Sequence, residues 1–463
     1  MKVTLAGIDI GTTTTRLSVA EARVARRAGE GRVAIGEIEE RLAGGPVRTP
    51  FVGAALDVGR LLAIVVGWLA DAGAPELFGG GALITGLAAR ASNAGEVIAG
   101  LRARLGDAVI ALADDPRLEA WLAFQGSVGA HARAHPDETI VNLDIGGGTT
   151  NVAVGRGGAV LGTGCLWIGA RHVEVEPGSY RVTRCSPEGE ALLASLGITK
   201  GPGDVLAADE VGAFVDALVR LLEAAAEGRA APFASGIGRR LVDAPIAWPE
   251  MVAAPTISLS GGVGELVHAI REGRPLPATT CFGDLGIDLA RRIAASPVLG
   301  SRCLAPASAG RATVIGLLRH ATRVSGATVF LGAPERLPLR DLPIVGAISA
   351  DPTAEQARPI VALAEASRSG ACIVITGAIR GHAALRALGE ALAAALAGFP
   401  PDRPLVLLVA EDVGKALGGY VTAWGRAPRA LYVLDEMAPD DAHFVHVGRP
   451  SGGVVPIAFH GIR

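Results

Sequence analysis

The chain has 463 residues, of which half are hydrophobic and 19% charged, and its net charge is −3. A chain this long folds into roughly two to four domains, and this composition excludes global disorder. With only 4% aromatic residues and no basic stripe, a nucleic-acid partner is not expected. Cys165, Cys185, Cys281, Cys303 and Cys372 form no C-x-x-C pair. They are expected to be small buried apolar residues in a reducing cytosol, not a disulfide framework or a zinc site. The start MKVTLAGIDIG has no secretory h-region. The most apolar window, LLAIVVGWLA at 61–70, is too short to span a bilayer and reads as a buried helix, so no membrane partner is expected.

In chain order, 3–10 reads as a buried strand ending at Gly11, followed by the polar turn GTTTT and a second strand. A helix is predicted over 55–72, strands over 81–86 and 107–113, and a helix over 118–126. The segment IVNLDIGGGTTNVAVGRGGAV at 140–160 repeats the opening hairpin. Asp144 superposes on Asp9, Gly146 on Gly11, Thr149 on Thr14 and Thr150 on Thr15, which predicts two related lobes. A long helix is expected over 209–227, loop over 228–255, strand–turn–helix over 257–270 and a helix over 310–324. From about 327, TVFL, LPIV, ACIVITG, PLVLLVA and ALYVLDEM read as strands, with a helix at 382–397 between two of them.

A strand ending in Asp and followed by Gly and Thr places backbone N–H groups and hydroxyls around a tight turn, which suits phosphate oxygens. Gly11, Thr12, Thr13 and Thr14 would clasp one side of a triphosphate, and Gly146, Gly147, Gly148 and Thr149 the other. Asp9 and Asp144 would face each other across the cleft and hold Mg²⁺. Asp144 would also orient the attacking water. The turn Ser260-Gly261-Gly262-Val263-Gly264 follows a strand and precedes a helix, where missing side chains let backbone lie against a flat base. Glu119 is either a third acid at the phosphates or a surface carboxylate. Gly316 is either a hinge glycine or a packing glycine. Lys415, after the strand PLVLLVA, reads as a solvated first-turn lysine. The histidines are taken as scattered, with no metal-spaced pair, and His443, His446 and His460 as strand-edge residues.

The ordered motifs resemble the actin, hexokinase and heat-shock-chaperone superfamily. That resemblance implies an α/β, actin-like (ribonuclease H-like) fold with duplicated βββαβα lobes and ATP as ligand. It makes Gly261, Gly262 and Gly264 the adenosine-binding turn, and the helices carrying Gly126 and Gly316 the connections between lobes. The expected division is lobe I at 1–139, lobe II at 140–326 and a C-terminal α/β domain at 327–463. More closely, GIDIGTTTTRL, VNLDIGGGTTNVAV, ISLSGGVGE, RATVIG, GKALG and VGRPSGGVVPIAF resemble the ethanolamine ammonia-lyase reactivating factors, the EutA family. One departure stands at Leu87, where the family has an acidic residue after Ile-Thr-Gly. The resemblance implies a chaperone-like ATPase that uses ATP and Mg²⁺ to free damaged cobalamin from adenosylcobalamin-dependent ethanolamine ammonia-lyase. The protein would work in the cytoplasm; association with an ethanolamine-utilisation microcompartment and assembly into a homo-oligomer are left open. A small-molecule kinase of the same fold and a filament-type scaffold are the competing readings.

Overall fold

The structure is a computed structural model that describes residues 1–26, 33–73, 77–105, 109–113, 116–246, 248–249, 254–301, 303–306, 309–326, 328–439 and 442–462. Residues 107–108 of the strand expected at 107–113 lie outside these. The N-terminal lobe is built on β1 (Lys2–Ile10), β2 (Thr14–Arg26), β3 (Val33–Arg48), α1 (Val58–Asp71), β4 (Gly79–Ile84), α2 (Ala94–Arg104) and β5 (Val109–Ala113). Its sheet runs β3-β2-β1-β4-β5, with an antiparallel β1–β2–β3 meander and parallel β4 and β5. Ile8, Ile10, Leu17 and Val19 point from the hairpin into a core closed by Leu61, Leu62 and Val65 of α1 and by Val97 and Leu101 of α2. The helix read as buried at 61–70 is therefore amphipathic: Val66 is 41% exposed.

After α3 (Pro116–Ser127) and the short α4 (Gly129–Ala134), the plan repeats. The second lobe contains β6 (Thr139–Ile145), β7 (Thr150–Arg156), β8 (Ala159–Leu166), α5 (Ala208–Ala226), β9 (Val242–Ala244), β10 (Thr256–Ser260), α6 (Gly261–Arg271), α7 (Gly286–Ala295) and β11 (Cys303–Leu304). Its sheet order is β9-β8-β7-β6-β10-β11, the first lobe's order with one extra edge strand. The 228–255 stretch, expected to be loop, thus supplies β9. Phe214, Val215, Leu218 and Leu222 of α5 bury one helical face against this sheet.

The lobes are joined by α3 and by α8 (Ala312–His320). A Cβ on Gly126 would lie 1.9 Å from the Ala312 carbonyl oxygen, and one on Gly316 would lie 2.3 Å from that of Leu122. Each helix presses its backbone onto the other at a glycine, so packing is the role the structure gives both. The helix expected over 310–324 stops at His320, because Arg323–Val324 (β12) is taken into the last sheet.

That sheet adds β13 (Phe330–Leu331), β14 (Leu339–Ser349), α9 (Ala354–Ala366), β15 (Ala371–Thr376), α10 (Gly381–Ala395), β16 (Leu405–Leu408), α11 (Gly414–Val421), β17 (Leu431–Leu434), β18 (Ala442–Val447) and β19 (Pro456–Ile462). The order is β12-β19-β18-β14-β15-β16-β17-β13, with β14 to β17 parallel. Its tail is not a free appendage. Ala458 of β19 packs with Leu83, Leu118, Leu122 and Leu317 of the lobe junction, and Val454 packs with Val3 and Leu5. Arg102 of α2 pairs with Asp341 of β14 at 2.9 Å. No helix among the described residues is long and apolar enough to cross a membrane. The cysteines are free; Cys165, Cys303 and Cys372 are buried, but Cys281 is exposed, against expectation.

The glycine contacts give opposite outcomes for one substitution. Gly126→Ala is expected to lower unfolding free energy by about 1–3 kcal/mol, because the clash is with backbone. Gly212→Ala, in α5 with open space around the added Cβ, is expected to raise it by about 1 kcal/mol. Urea denaturation followed by far-UV circular dichroism measures both.

Candidate nucleotide cleft

The two hairpin turns are built alike. Asp9 faces Arg16 across the first, and Asp144 faces Asn151 across the second. In each, the glycine after the strand donates to the last threonine of the turn: Gly11 to the Thr14 carbonyl at 3.0 Å, and Gly146 to the Thr149 carbonyl at 2.9 Å. The loops meet tip to tip. A Cβ on Gly147 would stand 2.0 Å from Thr13 Oγ1, and one on Gly148 2.9 Å from Thr12 Oγ1.

Three carbonyls of the second turn are engaged from outside it. Those of Gly146 and Gly147 accept from the backbone N–H groups of Ala170 and Arg171, and that of Gly148 accepts from His172 Nε2 at 2.7 Å. In a planar peptide the N–H points opposite to the C=O. The N–H groups of Gly147, Gly148 and Thr149 are thereby turned away from those donors, in residues that line the cleft, an arrangement that suits an anion nest. In the first turn the Gly11 carbonyl accepts from Thr49 Oγ1, and the Thr12 carbonyl from Arg171 Nη1 at 3.0 Å. The same rule directs the Thr12 and Thr13 N–H groups.

Asp9, Gly11, Thr12, Thr13, Thr14, Glu119, Asp144, Gly146, Gly147, Gly148, Thr149, Gly261 and Gly262 line one cavity of ≈ 350 Å³, the size class of small-molecule sites. Gly264 is outside that lining. It packs on β10, where a Cβ would come 2.9 Å from the Leu259 carbonyl carbon. Gly261 has φ +80°, and its Cβ would meet the Ile145 carbonyl oxygen at 2.5 Å; Gly262 has nothing within 4 Å on the cavity side. Glu119 is only 8% exposed, which excludes the surface-carboxylate reading. Lys415 is exposed in the first turn of α11, as expected. His446 is buried and accepts from the Asp341 N–H; the His460 side chain lies outside the described residues.

The three acids strain against one another. Burial, and then the neighbouring Asp144, raise the Asp9 pKa to about 7, against the pull of Arg16. Burial raises Asp144 to about 6, although Ser260 Oγ donates to it at 2.5 Å. Burial beside Asp9 and Asp144 puts Glu119 well above the usual carboxylate range. Asp9 Oδ1, Thr13 Oγ1 and Asn151 Oδ1 are buried without a hydrogen-bond partner in the protein. Orphaned oxygens amid crowded carboxylates fit a hard dication, which takes oxygen ligands and relieves their repulsion.

Several wall residues were not read from the sequence. Arg16 reaches the Gly310 carbonyl and, at 3.3 Å, Glu265. Arg171 ties lobe II to lobe I through Thr12. Thr85 and Asn151 hydrogen-bond Glu119. Pro275, Leu276, Pro277 and Phe282 form an apolar wall beside α6. The matching position in the repeat, Asn151 over Arg16, was the available signal for that pair. At the departure noted above, the Leu87 backbone N–H donates to Thr12 Oγ1 at 2.8 Å, so the contact needs no acidic side chain.

Raised carboxyl pKa values mean that the folded chain binds more protons than the unfolded chain between the ordinary carboxylate range and about pH 7. Cation-free stability is therefore full only below about pH 4, falls as pH rises from there through about 6 to 7, and levels off above. Asp9→Asn is expected to flatten that fall and leave the cation-free protein a few kcal/mol more stable than wild type at about pH 8. Mg²⁺ is expected to bind wild type more tightly as pH rises over the same window. Differential scanning fluorimetry with and without Mg²⁺ checks both signs.

The family model described as ethanolamine utilisation protein EutA matches residues 1–462. A relative from Salmonella typhimurium, named ethanolamine ammonia-lyase reactivase EutA, is 32% identical over 467 residues, covering 97% of this chain and 96% of its own. The protein of the same name from Escherichia coli is 30% identical over 465 residues, with the same coverage. Among solved structures, an Aquifex aeolicus Ppx/GppA family member aligns over 61% of this chain and 73% of its own, at 17% identity and a TM-score of 0.33. With the family model matched over residues 1–462 and relatives 30–32% identical over 97% of the chain, the chain belongs to the EutA family.

Proposed function

We propose that the chain is an ATP- and Mg²⁺-dependent reactivating factor for ethanolamine ammonia-lyase. It would release damaged cobalamin from that enzyme so that intact adenosylcobalamin can rebind. The observation that carries this reading is whole-length kinship: relatives named as reactivases of that lyase match 97% of the chain, C-terminal module included. No observation favours the kinase reading over it.

In this reading Asp9 and Asp144 hold Mg²⁺ beside the polyphosphate, where the cation supplies charge neutralisation. The N–H groups of Thr12, Thr13, Gly147, Gly148 and Thr149 bind phosphate oxygens from both lobes. Gly261 and Gly262 admit the adenosine, with Pro275, Leu276 and Phe282 covering it. Asp144, oriented by Ser260, and Glu119 are the carboxyls placed to orient the attacking water and to take its proton. Because the phosphates are gripped from both lobes, nucleotide state sets lobe closure. A partner that prefers one closure over the other is then driven by hydrolysis.

Asp9→Asn and Asp144→Asn are each expected to lower Mg²⁺-dependent ATP hydrolysis by about 100-fold or more, with the circular dichroism spectrum preserved. Wild type, but neither variant, should restore activity to cyanocobalamin-inactivated ethanolamine ammonia-lyase given ATP, Mg²⁺ and fresh adenosylcobalamin. No recovery with wild type would sink the reactivase reading. Hydrolysis appearing only with a small hydroxylated substrate would replace it with a kinase.

A further inference from the structure

Away from the cleft, α4 ends in a cluster that the sequence reading passed over as scattered histidines. His131 and His135 are four residues apart, and Glu138 follows a turn at Pro136. One ligand atom from each of the three lies within 4.8 Å of the others. The imidazoles stack with centroids 4.1 Å apart and ring planes 22° apart. His131 Nε2 is 2.7 Å from Glu138 Oε2. The other Glu138 oxygen accepts from Thr256 Oγ1, the hydroxyl at the start of β10.

We propose that His131, His135 and Glu138 form a binding site for a borderline divalent transition metal, Zn²⁺ above all. The donor set is two imidazoles and one carboxylate, which suits Zn²⁺ and disfavours Mg²⁺ or Ca²⁺, cations that take oxygen. The outer contacts are those a metal site needs. His135 Nδ1 lies 3.0 Å from the His131 carbonyl, and a carbonyl only accepts, so that nitrogen carries the proton and the ring's lone pair is on Nε2. Such a backbone contact fixes the tautomer of a ligating histidine. Thr256, then His131, keep the Glu138 carboxyl below its usual range, in the ionised form a ligand requires.

Bonds to Zn²⁺ of about 2.0–2.2 Å set tetrahedral ligand atoms about 3.3 Å apart. His131 Nε2 and Glu138 Oε2 stand at 2.7 Å, closer than that, and the three ligand atoms all lie within 4.8 Å of one another. The ion would be admitted by rotating the stacked rings so that their in-plane lone pairs converge, with the His131–Glu138 hydrogen bond released. Three protein ligands leave a fourth position for water.

The position gives the site a structural consequence. Glu138 immediately precedes β6 and Thr256 opens β10, and these two strands carry Asp144 and Ser260 at their far ends. With strands rising about 3.3 Å per residue, the metal would sit roughly 20 Å from the cleft carboxylates. It would staple α4, which continues the first connecting helix, to the base of lobe II.

The full chain, stripped with a chelator and kept in millimolar Mg²⁺ to occupy the cleft carboxylates, should bind one equivalent of Zn²⁺ by isothermal titration calorimetry. Co²⁺ in its place should give the visible d–d bands of a four-coordinate site. His131→Ala, His135→Ala and Glu138→Gln should each weaken binding by about tenfold or more and abolish the Zn²⁺-dependent rise in melting temperature. Their metal-free melting curves serve as the folding control. Asp9→Asn should keep both signals. Absence of binding in wild type overturns the proposal, and so does binding that survives the histidine variants or is lost in Asp9→Asn. None of these readouts depends on ATP hydrolysis or on the lyase.

Discussion

Three carboxyl groups that repel one another in a buried cleft are the constraint around which the rest of the molecule is arranged. Asp9, Asp144 and Glu119 come from β1, β6 and α3, elements separated widely in sequence. Bringing them together costs desolvation and repulsion, visible as pKa values pushed up to about 7 and about 6 for the two aspartates. Arg16 offsets part of that cost. Its guanidinium is itself fixed by Gly310 and Glu265, so the compensating charge is anchored to lobe II although it originates in lobe I. A cleft so arranged is poised for cationic and phosphate partners, since both the orphaned oxygens and the inward N–H groups gain by binding.

The lobes share a strand order and a turn, yet they are not interchangeable. The position opposite the strand-end aspartate is Arg16 in one and Asn151 in the other. The cation therefore counters both aspartates from one wall, while the amide bonds Glu119 from the other. Glycines enforce the close approach. Side chains at Gly147 and Gly148 would strike the threonines of the opposing turn, so the tips touch only because neither has a Cβ there.

How much of this was legible depended on whether the signal was local. The hairpins were, because Asp-Ile-Gly followed by threonines writes strand, turn and second strand into one short stretch. Sixteen-residue β3 was not. Its sequence VAIGEIEERLAGGPVR is charged and mostly exposed, and bulges in its pairing with β2 break the alternation a strand should show. At 310–324 the apolar pattern runs past His320, but pairing of Arg323–Val324 with β19 overrides it. Arg16 and Arg171 read as ordinary charged residues. Their roles arise from contacts 294 and 159 positions away, which no window of sequence contains. Gly264 failed in the other direction: it continues the glycine pattern, yet one helical turn carries it from the cleft wall onto β10.

The C-terminal module explains how a nucleotide cleft could reach a large partner. Its last strands do not hang from the ATPase lobes but close over their junction, with Ala458 set between Leu83 of β4 and Leu118 and Leu122 of α3. Helix α3 is the same element that brings Glu119 to the cleft wall and crosses α8 at Gly126 and Gly316. Interiors packed at crystal-like density shift as units and do not deform smoothly. Under the proposed lobe closure, a movement of α3 would displace the β18–β19 hairpin packed on it. The parallel strands β14 to β17, hydrogen-bonded to that hairpin through β14, would be carried along. Tail, connecting helix and buried acid are thus joined by one continuous packed contact, and the family match spans the same length, residues 1–462.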